Sequence, residues 1–202
     1  RSDYTPQELA PLNIPYVCCS YDNQYGTLPP DSYASVSIAD EEEACRAVTE
    51  LYRCGHRRIA ALVSGTEDRS ISQLRYQGYV RALAAHGLPL EQELVIEAGS
   101  FDIRQSYLAM QRRLLTGAQF TALFAISDNM AIGAMRALRE AGRRIPEDCS
   151  VIAIDGLTVS DYINPTLTTL CQPVEHMGRR SVEILLDMVE HRGGPIRETA
   201  HT

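Results

Sequence analysis

Short apolar runs alternate with amphipathic stretches along most of this chain. Each apolar run is only a few residues long, as buried strands are, and each amphipathic stretch closes on a glycine, a common end of a helix. The predicted strands of this repeat are Ile59–Val63, Leu94–Glu97, Ala122–Ile126 and Val151–Ile154. Their starts lie roughly thirty residues apart, the length of a strand–helix–strand unit. The pattern therefore predicts an α/β fold with a mostly parallel sheet and helices on both faces.

Helices are predicted between these strands and on either side of them. Their expected extents are residues 40–54, 72–86, 103–115 and 128–142, with a final helix from Pro173 to about His191. Further strands are predicted at Tyr16–Cys19, Ser35–Ile38 and Leu167–Cys171, and a short helix at Pro6–Leu12.

The chain is expected to pass between two lobes, because polar, turn-rich crossings lie near Ser20–Asp31 and Gln172–Pro173. We expect residues 1–32 to belong to an N-terminal lobe and 33–170 to form a C-terminal lobe. Residues 171–192 then return to the first lobe, and 193–202 form a tail or crossing segment. The first lobe is too small to close a sheet. Since the chain starts at Arg1 without Met or a signal-peptide pattern, we expect a piece of a longer polypeptide.

Composition narrows the class of function. A net charge of -7 over 202 residues argues against this chain binding the phosphate backbone of a nucleic acid by itself. No apolar run is long enough to span a bilayer. The six cysteines show neither C-x-x-C pairs nor zinc-ligand spacing, and most lie in or beside predicted elements as buried thiols do. A reduced, cytoplasmic protein without metal or cofactor is expected.

The common catalytic motifs give no reason to regard this sequence as that of an enzyme. Ser64–Asp68 lies where a phosphate-binding loop would be, after a strand and before a helix. It lacks the glycines and lysine of such loops and carries two acids where an anion would bind. The sequence contains no G-x-S-x-G elbow and no H-E-x-x-H motif. An enzyme is therefore not expected.

Polar residues follow the predicted strands, at the edge where open parallel sheets bind ligands. Ser127, Asp128 and Asp155 come directly after two strands, and Arg75 lies in the first turn of a helix that follows a third. The guanidinium fork of Arg75 suits hydroxyl pairs or a carboxylate, and Phe101 suits stacking on a sugar or base. Each has a simpler alternative: a solvated helix arginine, a turn-capping aspartate, a helix-capping serine or a core phenylalanine.

Several segments resemble, in order and spacing, the effector-binding core of the LacI-type bacterial transcription regulators, the family of the lactose and purine repressors. They are Cys54–Ala60, Arg75-x-x-Gly78-Tyr79, Ser127–Ala134, Ile145–Asp148, Ser150–Asp155 and Leu167-Thr168-Thr169-x-x-Gln172-Pro173-x-x-x-Met177-Gly178. The resemblance runs from about Ile14 to the end of the chain.

This resemblance implies a two-lobed, periplasmic-binding-protein-like fold with parallel doubly wound sheets, whose first lobe is incomplete in this chain. It implies ligand contacts from Arg75, Asp155, Phe101, Ser127, Gln172 and Ser20. Ser20 stands where members often have Asp, and Ser127 where many have Asn.

The implied partners are a small-molecule effector (a sugar or nucleobase-like compound), a second copy of the chain and operator DNA. The DNA would be bound only through an upstream helix-turn-helix, and no membrane is involved. An apolar cluster is expected at the dimer contact or, alternatively, packed on its own lobe: Leu157, Val159, Tyr162 and Ile163, with Ile132 and Arg136. A periplasmic sugar-binding protein of a transporter is the main alternative, because it shares the fold.

Overall fold

The computed structural model describes residues 5–12, 14–21, 27–29, 32–67, 70–190 and 193–202. Its strands are β1 (Val17–Cys19), β2 (Ala34–Ile38), β3 (Ile59–Val63), β4 (Val95–Glu97), β5 (Ala122–Ala125), β6 (Ser150–Asp155), β7 (Thr168–Cys171) and β8 (Arg197–Ala200). Its α-helices are α1 (Pro6–Leu9), α2 (Asp40–Arg53), α3 (Ile71–Ala85), α4 (Ile103–Leu115), α5 (Asp128–Glu140) and α6 (Val174–Val189).

The larger sheet has the strand order β4-β3-β5-β6-β7, and all of its neighbouring strands run parallel. Every residue of β3 and β5 is buried, which in a parallel sheet requires helices over both faces. Helices α2 and α3 pack against each other, and so do α4 and α5. The predicted α/β fold with a parallel, helix-covered sheet is confirmed.

Two glycines let these helix pairs approach closely. A Cβ placed on Gly78 of α3 would lie 2.2 Å from the carbonyl oxygen of Glu41 in α2. A Cβ on Gly133 of α5 would lie 2.2 Å from the carbonyl oxygen of Ile103 in α4. Both helix contacts are therefore backbone to backbone at these points, a separation that any larger residue prevents.

The smaller sheet has the order β1-β2-β8, again parallel, and α6 packs on it. Strand β2, expected in the 33–170 lobe, belongs to this smaller sheet instead. Strand β8, in the expected tail 193–202, was not predicted because Arg197–Ala200 contains no apolar run. Strand β8 is held in place by pairing with β2, which is fully buried. A bidentate ion pair between Arg180 of α6 and Glu198 of β8 also fixes it.

Some predicted features lie outside the described residues: Asp68 of the loop after β3, His191, and residues 22–26 and 30–31 of the first crossing. No helix in the described ranges has the length and apolar character needed to cross a membrane.

The six cysteines are free thiols, but only Cys18 and Cys149 are buried. Burial raises the pKa of Cys18 to about 11 and that of Cys149 to about 12, which keeps both thiols protonated at neutral pH.

Candidate functional site

A buried arginine joins three elements at the carboxyl edge of the larger sheet. The Nε of Arg75 donates to Oδ1 of Asp40 at 2.7 Å, and its Nη1 donates to Oδ1 of Asp155 at 3.2 Å. The same Nη1 donates to the carbonyl oxygen of Ile126, directly after β5. The side chains of Arg75 and Asp40 are only 1% and 3% exposed. The guanidinium is therefore a fixed part of the floor of the sheet edge rather than a solvated helix group.

The charged groups of this cluster shift one another's pKa values. Burial opposes the charged form of Arg75, but Asp40 and Asp155 outweigh that effect and raise its pKa above the usual value. Burial raises the pKa of Asp155; Arg75 and Gln172 act in the opposite direction, and Asp128 adds to the increase. Arg75 thus stays protonated, while Asp155 is a more basic carboxylate than a solvated one.

Asp155 is the most accessible member of the cluster. Its Oδ1 accepts from Arg75 and, at 2.8 Å, from Nε2 of Gln172. Within the described part of the chain, its Oδ2 accepts no hydrogen bond, and the side chain is 22% exposed. Its backbone φ of 153° is one that residues other than glycine rarely adopt. Oδ2 is therefore an acceptor held in place and open to a ligand.

Gln172 connects this cluster to the smaller sheet. It follows β7, and its backbone N–H donates to the carbonyl oxygen of Asp155 at 3.0 Å. Its Oε1 accepts from the hydroxyl of Ser20 at 3.3 Å. Ser20 follows β1 and has a φ of 55°, in the left-handed region. The side-chain amide of Gln172 therefore links Ser20, which follows a strand of the smaller sheet, to Asp155, which ends a strand of the larger sheet.

Ser127 and Phe101 lie at the same sheet edge but outside this hydrogen-bond network, as far as the described contacts extend. The hydroxyl of Ser127 caps α5 by accepting from the backbone N–H of Met130 at 3.3 Å, and the residue is buried. Phe101, in the loop after β4, is partly buried and packs against the core. The structure therefore brings four of the six predicted site residues into one network.

Asp128 does not behave as a candidate ligand contact. Its side chain is fully buried and accepts hydrogen bonds from the Leu157 backbone N–H, the Ser160 hydroxyl and the Thr169 hydroxyl. These bonds hold the connection between β6 and β7 against the start of α5. Asp128 marks the predicted edge of the sheet, but its acceptors are used inside the fold.

Sequence reasoning missed Asp40, which it placed only as the first residue of the helix predicted over residues 40–54. The residue shares the buried face of α2 with apolar side chains at helical spacing. That face consists of Asp40, Ala44, Ala47, Val48 and Leu51. An acid on an apolar helix stripe needs a buried partner, and this signal was readable from the sequence. What it did not reveal is that the partner is Arg75.

Comparisons with known proteins agree with this architecture. Residues 48–201 match the periplasmic binding protein-like domain family. The chain is 35% identical over 189 residues to the HTH-type transcriptional regulator CelR of Thermobifida fusca, covering 94% of this chain and 54% of that protein. It is 35% identical over 177 residues to the probable HTH-type transcriptional repressor ExuR of Bacillus subtilis, covering 88% and 51%. The chain thus spans about half the length of the curated relatives it matches.

Solved structures give the same result. A transcriptional regulator CelR–cellobiose complex superimposes with a TM-score of 0.88 at 32% identity, over 98% of this chain and 60% of that one. A LacI family transcriptional regulator from Enterococcus faecium with bound ribose superimposes with a TM-score of 0.80 at 28% identity, over 96% and 69%. These relatives are transcriptional regulators and not enzymes. This chain therefore belongs to the periplasmic binding protein-like domain family, and within it to the effector-binding cores of LacI-family regulators.

Proposed function

We propose that this chain is the effector-binding and dimerisation part of a LacI-type bacterial transcriptional regulator. The observation that carries the proposal is the network in which Gln172 joins Ser20, beside the smaller sheet, to Asp155 and Arg75 at the edge of the larger one. A ligand at this point would touch both sheets at once. The cellobiose and ribose complexes of relatives support a sugar as the effector, with a nucleobase-like compound as the second choice.

Asp155 has the central role in this proposal. Its Oδ2 would accept a hydrogen bond from an effector hydroxyl, while Arg75 holds the carboxylate in position from beneath. Gln172 and Ser20 would supply contacts from the crossing, and Phe101 would cover one face of the ligand by stacking. For Ser127, helix capping and ligand contact are compatible, because a hydroxyl both accepts and donates.

The proposed mechanism is a change in the relative position of two lobes. The smaller sheet with α6 would form one lobe, incomplete in this chain, and the larger sheet with α2–α5 the other. An effector that bridges Asp155 and the crossing favours the closed arrangement by its difference in affinity for the two states. In a dimer, that closure changes the spacing of two upstream helix-turn-helix domains and hence operator affinity. Such a protein acts in the bacterial cytoplasm.

An exposed apolar surface supports the dimer. Leu157, Val159 and Tyr162 are all exposed, Tyr162 at 83%. Beside them lies an open groove of about 610 Å³ whose lining includes Ile132, Arg136 and Ile163. Contiguous exposed apolar surface of this kind is typical of protein contact sites.

The dimer proposal is tested by sedimentation of a Tyr162→Asp variant. Ile163 packs partly against the core, so Tyr162 is the cleaner position for the substitution. Leu115→Asp is the matched control for a charge placed on exposed apolar surface, because Leu115 is 87% exposed at the end of α4 and does not line the groove. A shift to monomer for Tyr162→Asp alone supports the proposal; unchanged sedimentation of Tyr162→Asp rejects this surface.

The effector site is tested by calorimetric titration of the full-length protein with a panel of sugars and nucleobases. Asp155→Ala should lower the affinity of the best ligand by at least about tenfold, since a hydrogen bond to a charged group contributes roughly 1.5–3 kcal/mol. Glu147→Ala is the control: it removes an exposed carboxylate just before β6, at the opposite end of the strand that ends in Asp155. An affinity that is unchanged by Asp155→Ala would overturn the site assignment.

The two alternatives have direct tests. A helix-turn-helix encoded immediately upstream supports the regulator, whereas a signal peptide there would make this a periplasmic sugar-binding protein. An enzyme acting on the same ligands would convert them, so recovery of unchanged ligand after prolonged incubation counts against catalysis.

A further inference from the structure

Two neighbouring loops at the carboxyl edge of the larger sheet are bonded to each other. Strand β3 ends at Val63 and β4 at Glu97, and these two residues are paired across the sheet. The backbone N–H of Ala98 donates to the Val63 carbonyl oxygen at 2.9 Å. That of Gly99 donates to the Ser64 carbonyl oxygen at 2.7 Å, so the pairing continues past both strands. The loop after β3 and the loop after β4 therefore leave the sheet side by side.

The carboxylate of Glu97 joins the two loops a second time. Its Oε1 accepts two hydrogen bonds from Thr66, one from the hydroxyl at 2.7 Å and one from the backbone N–H at 3.3 Å. Hydrogen bonds to an ionised acceptor are stronger than those between neutral groups. Thr66 lies three residues beyond the end of β3, where the backbone has left the sheet. Glu97 thus fixes the loop after β3 at a point that the sheet itself does not hold.

The same loop is bonded to the helix that carries Arg75. The hydroxyl of Ser72, in the first turn of α3, accepts from the backbone N–H of Ser64 at 3.1 Å and from that of Gly65 at 3.3 Å. It also donates to the Gly65 carbonyl oxygen at 3.0 Å. Ser72 is fully buried, and Arg75 lies three residues further along the helix. Hydrogen bonds therefore connect the loop after β4, through the loop after β3, to the helix of Arg75.

Phe101 lies in the loop after β4, four residues beyond Glu97. This loop is held at its start by the bonds to the loop after β3, and at its end by Asp102, whose side chain caps α4. The ring of Phe101 is partly buried against the core. A side chain or loop that must be ordered when a ligand binds lowers the affinity, because ordering costs entropy. The way in which the two loops are joined therefore affects how well this ring is placed before a ligand arrives.

We infer that Glu97 is a positioning residue of the effector site, which sets the place of Phe101 relative to Arg75 without touching the ligand itself. The inference deepens the proposed function and rests on it, in particular on stacking by Phe101. Glu97 acts through Thr66, so its effect on the ligand is indirect. Its removal should weaken effector binding about three- to tenfold, the change that corresponds to the net free energy of one hydrogen bond.

Calorimetric titration of the full-length protein with cellobiose, and with ribose as a second probe, tests this role in a double-mutant cycle. Glu97→Ala should weaken binding about three- to tenfold when Phe101 is present, and less than about twofold once Phe101→Ala has removed the ring. Glu97→Gln keeps an acceptor oxygen for Thr66 and should bind within about twofold of the wild type. If Glu97 only stabilised the fold, its loss would weaken binding equally with and without the ring, and that result would overturn the inference.

Hydrogen exchange of the Gly99 amide measures the same loop without a ligand. In Glu97→Ala this amide should exchange at least about threefold faster than in the wild type, because the loop that it bonds to has lost a contact. Glu93→Ala is the matched control: it removes an exposed carboxylate that is bonded to Arg58 at 2.7 Å, just before the opposite end of β4. The control should leave both the exchange and the affinity within about twofold of the wild type, since exposed ion pairs contribute little. Unchanged exchange of Gly99 in Glu97→Ala would contradict the inference.

The outcomes separate this inference from the function on which it rests. If Phe101→Ala weakens binding but Glu97→Ala does not, only the inference is overturned. If Phe101→Ala leaves the affinity for both sugars unchanged, the stacking contact of the proposed function fails, and the inference fails with it. If neither sugar binds to the wild type, the proposed sugar effector fails and the inference is rejected, whatever the exchange of Gly99 shows.

Discussion

Replacing Gly78 by alanine tests the packing that brings Asp40 to Arg75. Gly78 lies one turn after Arg75 on α3, where α3 crosses α2. An alanine Cβ would lie 2.2 Å from the Glu41 carbonyl oxygen and 2.7 Å from the Ala44 Cβ. Ordinary contacts between such atoms are about 3.5 Å. The two helices would have to separate by about 1 Å.

Two opposing effects determine the change in the free energy of unfolding. Alanine has a higher helix propensity than glycine by about 1 kcal/mol, which favours the variant. Overpacking a core typically costs about 1–3 kcal/mol, and sometimes more. Here the blocking atoms include backbone, which cannot rotate away as a side chain does. We therefore expect Gly78→Ala to lower the free energy of unfolding by about 2 kcal/mol, or the Tm by about 4–8 °C.

Gly178→Ala provides the control with the opposite sign. Gly178 lies on the exposed side of α6, and a Cβ added there would meet no atom within 4 Å. Only the propensity effect remains, so this variant should be more stable than the wild type by about 0.5–1 kcal/mol. Urea unfolding monitored by circular dichroism measures both variants under one set of conditions. The denaturant slope should not change, because the surface exposed on unfolding is the same.

The reasoning would be refuted if Gly78→Ala were as stable as the wild type, or if the two glycine variants shifted in the same direction. Separation of α2 from α3 should also lengthen the Asp40–Arg75 contact, which is 2.7 Å here. A folded Gly78→Ala variant should therefore bind the effector more weakly, through a less well positioned Asp155.

Three further predictions concern the carboxyl edge of the larger sheet. Because burial raises the pKa of Asp155 above 3.8, its ionised form costs stability at neutral pH, and this cost disappears as the pH falls through the raised pKa. Asp155→Asn should therefore be more stable than the wild type at pH 7 in urea unfolding, and an advantage that did not shrink towards about pH 4 would contradict the assignment. Asp128→Ala should lose about 1–3 kcal/mol of stability, because it leaves the buried Ser160 hydroxyl without its acceptor; an unchanged unfolding midpoint would show that water replaces the carboxylate. Ser127→Ala should cost about 1 kcal/mol through loss of the helix cap, and no loss in thermal unfolding would exclude the cap.

Local signals made the repeating part of the fold predictable. The bounds predicted for β3 and α4 coincide with those observed, because an apolar run and a helix closed by glycine are each encoded in a few neighbouring residues. The parallel direction of the strands and the cover of helices follow from the regular alternation of strand and helix, whereas the strand order β4-β3-β5-β6-β7 does not. Strand β8 was not predicted, because its residues acquire a strand conformation only by pairing with β2. The residues of Arg197–Ala200 contain no pattern that predicts this pairing.

The sequence alone determined that polar residues gather at the carboxyl edge of a parallel sheet, since that position depends only on the order of strands and turns. The strand pattern by itself left Asp128 and Asp155 equivalent, as acids that follow buried strands, and only the family resemblance favoured Asp155. Tertiary structure separated them, because three donors from the β6–β7 connection and β7 occupy Asp128, whereas Asp155 keeps an open oxygen. It also decided that Arg75 is buried and paired with Asp40, 35 residues earlier in the chain. That pairing depends on the close approach of α2 and α3 at Gly78, a distance that no local pattern of residues specifies.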